Sequence, residues 1–212
     1  MTSRSKNSGG SNAKTLVIWL AGAVVVIGLV AVVIGGNSSS SGADHPDLLG
    51  APVVTGDSLP PVAADQADPA AGGPVPEVSG ADFDGNPVSI ENNGKAKMVL
   101  FLAHWCGFCQ AEVPEVTAWL GSNELPDNVE FISVATSIDR FGVNFPPSDW
   151  LKGEDWPVPV ILDSAASEAY VADGAGGFPF WAMIDPAGNL IARLTGQGQV
   201  NLTEWTTVLS AL

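Results

Sequence analysis

Hydrophobic residues fall into three regimes along this chain. The first is an unbroken apolar run from Leu16 to Ile34 that contains no charged residue. At 1.5 Å per residue, its 19 residues would make a helix about 28 Å long, close to the hydrocarbon thickness of a bilayer. A buried core helix would be expected to show a polar face, and this run has none. In the second regime, Gly35 to Pro76, apolar residues follow no period and prolines recur at 46, 52, 60, 61, 69, 74 and 76. The third, Glu77 to Leu212, alternates short apolar runs with stretches at helical spacing.

That third regime predicts a fold. Met98 to Ala103 is continuously apolar, the pattern of a parallel strand covered on both faces. A helix should run from Cys106 to about Leu120 and stop at Gly121. Val129–Ala135 and Val158–Leu162 read as strands, and Ser148–Lys152 and Ser164–Val171 as short helices. Phe180–Ile184 and Leu190–Thr195 flank Asp185-Pro186-Ala187-Gly188-Asn189, a strong turn signal, and should pair as a hairpin. Asn201, with Glu204 three residues on, can cap a last helix. Its Leu202, Trp205, Val208, Leu209 and Leu212 would then share a face. Strands alternating with helices imply an α/β domain over 77–212, a central mixed sheet flanked by helices.

Charge orients these pieces. Residues 1–15 carry Arg4, Lys6 and Lys14 and no acid, which places them on the cytoplasmic side of a transmembrane anchor spanning 16–34. The run is longer than a usual secretory apolar core, and Ser41-Gly42-Ala43 is a weak cleavage site, so a retained anchor is favoured over a cleaved signal. Residues 35–76 read as a disordered, flexible linker. The domain over 77–212 is then extracytoplasmic on a single-pass membrane protein. All 23 acidic residues follow Ile34, opposed only by Lys95, Lys97, Arg140, Lys152 and Arg193. Such an acidic surface argues against nucleic acid as a partner.

Cys106 and Cys109 are the only two cysteines, within Trp105-Cys106-Gly107-Phe108-Cys109. Four readings are open. A zinc site needs four ligands, and only His45 and His104 remain to join the thiols. A structural disulfide would close too short a loop to constrain the unfolded chain much. Two inert buried thiols are a third reading. A redox-active dithiol is the fourth, favoured by the order strand, Cys-x-x-Cys, helix. The dipole and unpaired amides at a helix N-terminus favour the thiolate that attacks disulfides.

Three stretches together resemble the thioredoxin fold, and more narrowly the membrane-anchored, extracytoplasmic thiol–disulfide oxidoreductases of the TlpA/ResA type. They are Ala103-His104-Trp105-Cys106-Gly107-Phe108-Cys109, then Gln110-Ala111-Glu112-Val113-Pro114, and Gly177-Phe178-Pro179-Phe180-Trp181-Ala182-Met183-Ile184-Asp185-Pro186-Ala187-Gly188. The resemblance implies that Cys106 is the nucleophile, Cys109 the buried resolving thiol, and Pro179, after Phe178, a cis-proline shaping the substrate site. It also implies that Trp105 shields the site, core packing being its other reading, and that Glu112 sits near the buried thiol, a solvated helix position being the alternative for Glu112. His104 is expected to be an exposed neighbour, with tuning of Cys106 as its other reading.

Two positions depart from the pattern. Leu100 stands where cytoplasmic thioredoxins carry a buried aspartate, and Phe108 replaces the usual proline or histidine before the second cysteine. The expected activity is reduction of disulfides in exported proteins, needing no cofactor or metal, with electrons from a membrane partner. A disulfide-forming oxidase and a redox-inactive binding module are the alternatives.

Overall fold

The computed structural model describes residues 49–62 and 67–212. The expected N-terminal segment 1–15, the span 16–34 and the first part of the linker lie outside them. In chain order the described elements are β1 (Val53–Thr55), β2 (Glu77–Ala81), β3 (Pro87–Ile90), β4 (Ala96–Leu102) and α1 (Gly107–Leu120). Next come β5 (Val129–Ala135), α2 (Pro147–Gly153), β6 (Val160–Leu162) and α3 (Glu168–Ala172). The hairpin β7 (Phe180–Ile184) and β8 (Leu190–Thr195) and the last helix α4 (Leu202–Ser210) close the domain.

The central sheet has the order β6-β5-β4-β7-β8, with β4, β5 and β6 parallel, β7 antiparallel to β4, and β8 antiparallel to β7. This is the thioredoxin-like mixed sheet. Every residue of β4 is buried, because both faces are covered. Met98, Leu100 and Leu102 pack with Val113 and Val116 of α1 and with Trp205 and Leu209 of α4. Val99 and Phe101 pack on the other face with Ile132, Val134, Phe180, Ala169 of α3, and Val78 and Ile90 of a small antiparallel sheet, β1-β2-β3.

Two helices differ in extent from the sequence pattern. Residues 164–167 are not helical; α3 begins at Glu168 because the buried Asp163 carboxylate accepts from the amides of Ser164, Ala169 and Tyr170. In α4, Asn201 caps the helix by accepting from the Glu204 amide at 3.1 Å, but Val208 and Leu212 are exposed rather than part of the buried face.

The larger difference is in the linker. Its described residues, 49–62 and 67–76, are tied to the domain rather than forming a free spacer. β1 pairs with β2, and the amides of Gly50 and Leu59 donate to the carbonyls of Asp163 and Ala172, each at 2.8 Å. A Cβ at Gly50 would stand 1.8 Å from the Leu162 carbonyl oxygen, so only glycine permits that crossing. Asp68 accepts from Arg193 Nε at 2.8 Å, and the Arg193 side chain is wholly buried. Composition misleads here because the anchoring groups are backbone amides, which carry no compositional signal, and one carboxylate paired with a residue 125 positions away.

Arg193 also donates to the Asp173 backbone carbonyl at 2.7 Å, while Asp173 Oδ2 has no hydrogen-bond partner among the described residues. Burial pushes the Asp173 carboxyl up to about 7, although the Arg193 charge opposes that rise. Removing Asp68 by Asp68→Ala should strand the buried guanidinium and lower unfolding free energy by about 3–5 kcal/mol, read by urea denaturation. Between about pH 4 and 7 the unfolded chain ionises Asp173 while the folded chain keeps its proton. The unfolded state then holds fewer protons, so this group's contribution to stability falls as pH rises through that window. Asp173→Asn should remove that slope, and an unchanged pH profile of urea midpoints would contradict the assignment.

Candidate active site

β4 runs to the edge of the sheet and releases the chain through Ala103, His104 and Trp105 into α1. The Cys106 amide donates to the Ala103 carbonyl at 3.0 Å, closing a tight turn, and Gln110 Nε2 donates to the His104 carbonyl at 2.9 Å. Cys106 is the N-cap residue of α1, in extended conformation and partly exposed. One turn on, Cys109 is completely buried. Both are free thiols. Burial pushes the Cys109 thiol up, with the neighbouring Cys106 sulfur and Glu112 carboxylate adding to the rise and a backbone hydrogen bond from Ala103 opposing it.

The Phe178–Pro179 peptide is cis, the geometry the resemblance implies. Phe178 stands edge-to-face against Trp105, ring centroids 5.8 Å apart, and stacks on Tyr170 at 4.7 Å. The Tyr170 hydroxyl donates to the Gly177 carbonyl at 3.4 Å. Trp105 is 39% exposed and donates from its indole to the Ser137 carbonyl at 2.6 Å. The segment that holds Trp105 and the two cysteines and the Phe178–Pro179 turn thus come together from two distant parts of the chain, with Tyr170 packed on Phe178 from a third.

Glu112 is 3% exposed, so it is not a solvated helix residue. Its carboxylate accepts from Trp181 Nε1 at 3.1 Å and from the Gly198 amide at 2.8 Å. Burial raises its pKa, and those two hydrogen bonds offset part of the rise. His104 is likewise buried, at 1% exposure, not the exposed neighbour the sequence suggested. Its ring reaches the Val143 carbonyl through Nδ1 and takes the Asp139 amide on Nε2. His45 lies outside the described residues.

Sequence reading missed three contributors. Ser137 and Gly198 act through backbone groups and leave no motif. Tyr170, the single tyrosine of the chain, carried a signal: it falls within the stretch expected to be the helix before the Gly177-Phe178-Pro179 turn.

A mixed sheet of this order, with a dithiol where the central strand meets its helix and a cis-proline turn beside it, is thioredoxin-like. The chain belongs to the Redoxin family, whose model matches residues 70–209. It is 30% identical over 110 residues to the soluble secreted antigen MPT53 of Mycobacterium tuberculosis, covering 48% of this chain. The match spans 60% of that relative's length. Among solved structures, DsbF of M. tuberculosis, in its mixed oxidized and reduced forms, superposes with a TM-score of 0.51 at 26% identity. That superposition covers 62% of this chain and 93% of the other. The thioredoxin domain of a thiol–disulfide oxidoreductase from Bacteroides vulgatus gives 0.53 at 19% identity, over 67% and 96% respectively. The resemblance to TlpA/ResA-type oxidoreductases stands alongside these matches.

Glu112→Ala should strand the Trp181 and Gly198 donors, each at a cost of about 1–3 kcal/mol in urea unfolding. Glu112→Gln keeps an acceptor in place but removes the charge, so the Cys109 thiol should titrate lower. Alkylation of Cys109 against pH, in a Cys106→Ser background, reads that shift; a curve identical to that with Glu112 intact would show that the carboxylate does not act on the thiol.

Proposed function

We propose that this chain is an extracytoplasmic thiol–disulfide oxidoreductase that reduces disulfides in exported proteins. The observation that carries the reading is the Cys106–Cys109 pair, one sulfur reachable and one buried, at the head of α1 beside the cis Phe178–Pro179 turn. The Cys106 thiolate attacks one sulfur of a client disulfide, forming a mixed disulfide and releasing the other client sulfur as a thiolate. Cys109 gives up its proton and attacks Cys106 Sγ, releasing the second client thiolate and closing the Cys106–Cys109 disulfide. Two electrons pass to the client, and a dithiol donor in the membrane restores the pair. Glu112, buried beside Cys109, is the carboxylate suited to exchange that proton.

Direction follows from local charge. The motif holds Gly107 and Phe108 and no cation, so no side-chain charge inside it adds to the helix dipole in stabilising the reduced, thiolate form as a strong oxidant requires. Export is supported by the apolar run 16–34, which lies outside the described residues, and by the name of the secreted relative. Among the described residues no helix is long and apolar enough to cross a membrane.

Equilibration with glutathione should give a potential nearer about −270 mV than about −120 mV, and a value above about −170 mV would promote the oxidase alternative. Iodoacetamide at neutral pH should label Cys106 far faster than Cys109. Carbonate washing should leave the full chain in membranes; a soluble mature form beginning near Asp44 would show a cleaved signal instead.

A further inference from the structure

The segment after β5 carries exposed apolar side chains that the core does not need. Phe141 is 98% exposed and Val143 63%, and neither belongs to a core cluster. They do not sit on a loose loop. The buried His104 ring spans the segment: a carbonyl only accepts and an amide only donates, so Nδ1–H donates to Val143 and Nε2 accepts from Asp139. Between those two contacts lies Gly142, whose added Cβ would stand 2.9 Å from Trp105 Cβ and 3.2 Å from His104 Cε1. Only a glycine lets this backbone lie directly on the residue before Cys106.

Phe141 and Val143 therefore flank a point pressed against Trp105, which continues edge-to-face into Phe178. Phe108, inside the motif, is 64% exposed. Exposed apolar side chains thus occur within the motif itself and in the segment that packs on the residue preceding Cys106. Arg140, next to Phe141, is exposed and, like Lys152, forms no ion pair among the described residues, whereas Lys95, Lys97 and Arg193 each pair with a carboxylate. An unpaired cation beside a bare aromatic ring on an otherwise acidic chain has a complement: a carboxylate next to a bulky apolar side chain.

We propose that the 139–143 segment, latched by His104, is a specificity wall that selects client segments carrying a bulky apolar residue and a carboxylate beside the reacting cysteine. This rests on the oxidoreductase reading. His104 is a positioning residue in it, acting through the loop and not on the sulfur.

The test uses the pre-reduced full chain in single turnovers with three substrates: a peptide disulfide whose cysteine is followed by Phe-Glu, the same peptide with Ser-Ser, and oxidised β-mercaptoethanol. The Phe-Glu peptide should half-saturate at the lowest concentration. Phe141→Ser, at a position too exposed to disturb folding, should raise that concentration by about five- to tenfold for the Phe-Glu peptide alone. Limiting rates and the reaction with oxidised β-mercaptoethanol should stay unchanged. His104→Ala should reproduce that pattern and speed hydrogen exchange at the Asp139 amide, and His104→Asn, retaining a donor and an acceptor, should restore part of both. Equal losses on all three substrates, no loss on any, or no preference between the peptides would overturn the wall while leaving the oxidoreductase reading intact. A wild-type chain that reacts with none of the three would overturn both.

Discussion

Complete burial of β4 on both faces is the constraint from which the site follows. A strand covered by helices on one side and by a small sheet and α3 on the other can present nothing reactive along its length. Chemistry is possible only where it leaves the sheet, at the carboxyl edge of the parallel strands. The chain turns there through Ala103 to Cys106 and enters α1, so one sulfur is left at the helix mouth and the other is carried a turn inward. The difference between the two thiols, one reachable and one desolvated, comes from the register of a single turn.

Buried polar groups hold the rest in place. Glu112 joins α1 to β7 and to the turn after β8; His104 joins the end of β4 to the segment after β5. Asp163 sets the start of α3, which brings Tyr170 against Phe178. Arg193 holds Asp68 and the Asp173 carbonyl, closing the N-terminal segment over the sheet. Glu112, His104 and Arg193 are satisfied by groups distant in sequence, so each of these three fixes the relative placement of two elements and not merely the shape of one.

Much of this was legible from residues alone. Periodicity placed the central strands, the first helix, the closing hairpin and the cap at Asn201, because burial on a two- or 3.6-residue period leaves a mark in sequence. Spacing paired the cysteines, because residues three apart in a helix share a face. What only the tertiary structure decided is where polar residues end up. Glu112 reads equally well as solvated or as set beside the buried thiol and His104 reads as exposed, yet both are buried, since a side chain's environment depends on which distant backbone groups come to meet it. The segment around Asp68 reads as a spacer until a buried arginine 125 residues away demands its carboxylate. Local pattern specifies elements through the solvent each face meets, whereas the partners of buried polar groups exist only once the chain has closed on itself.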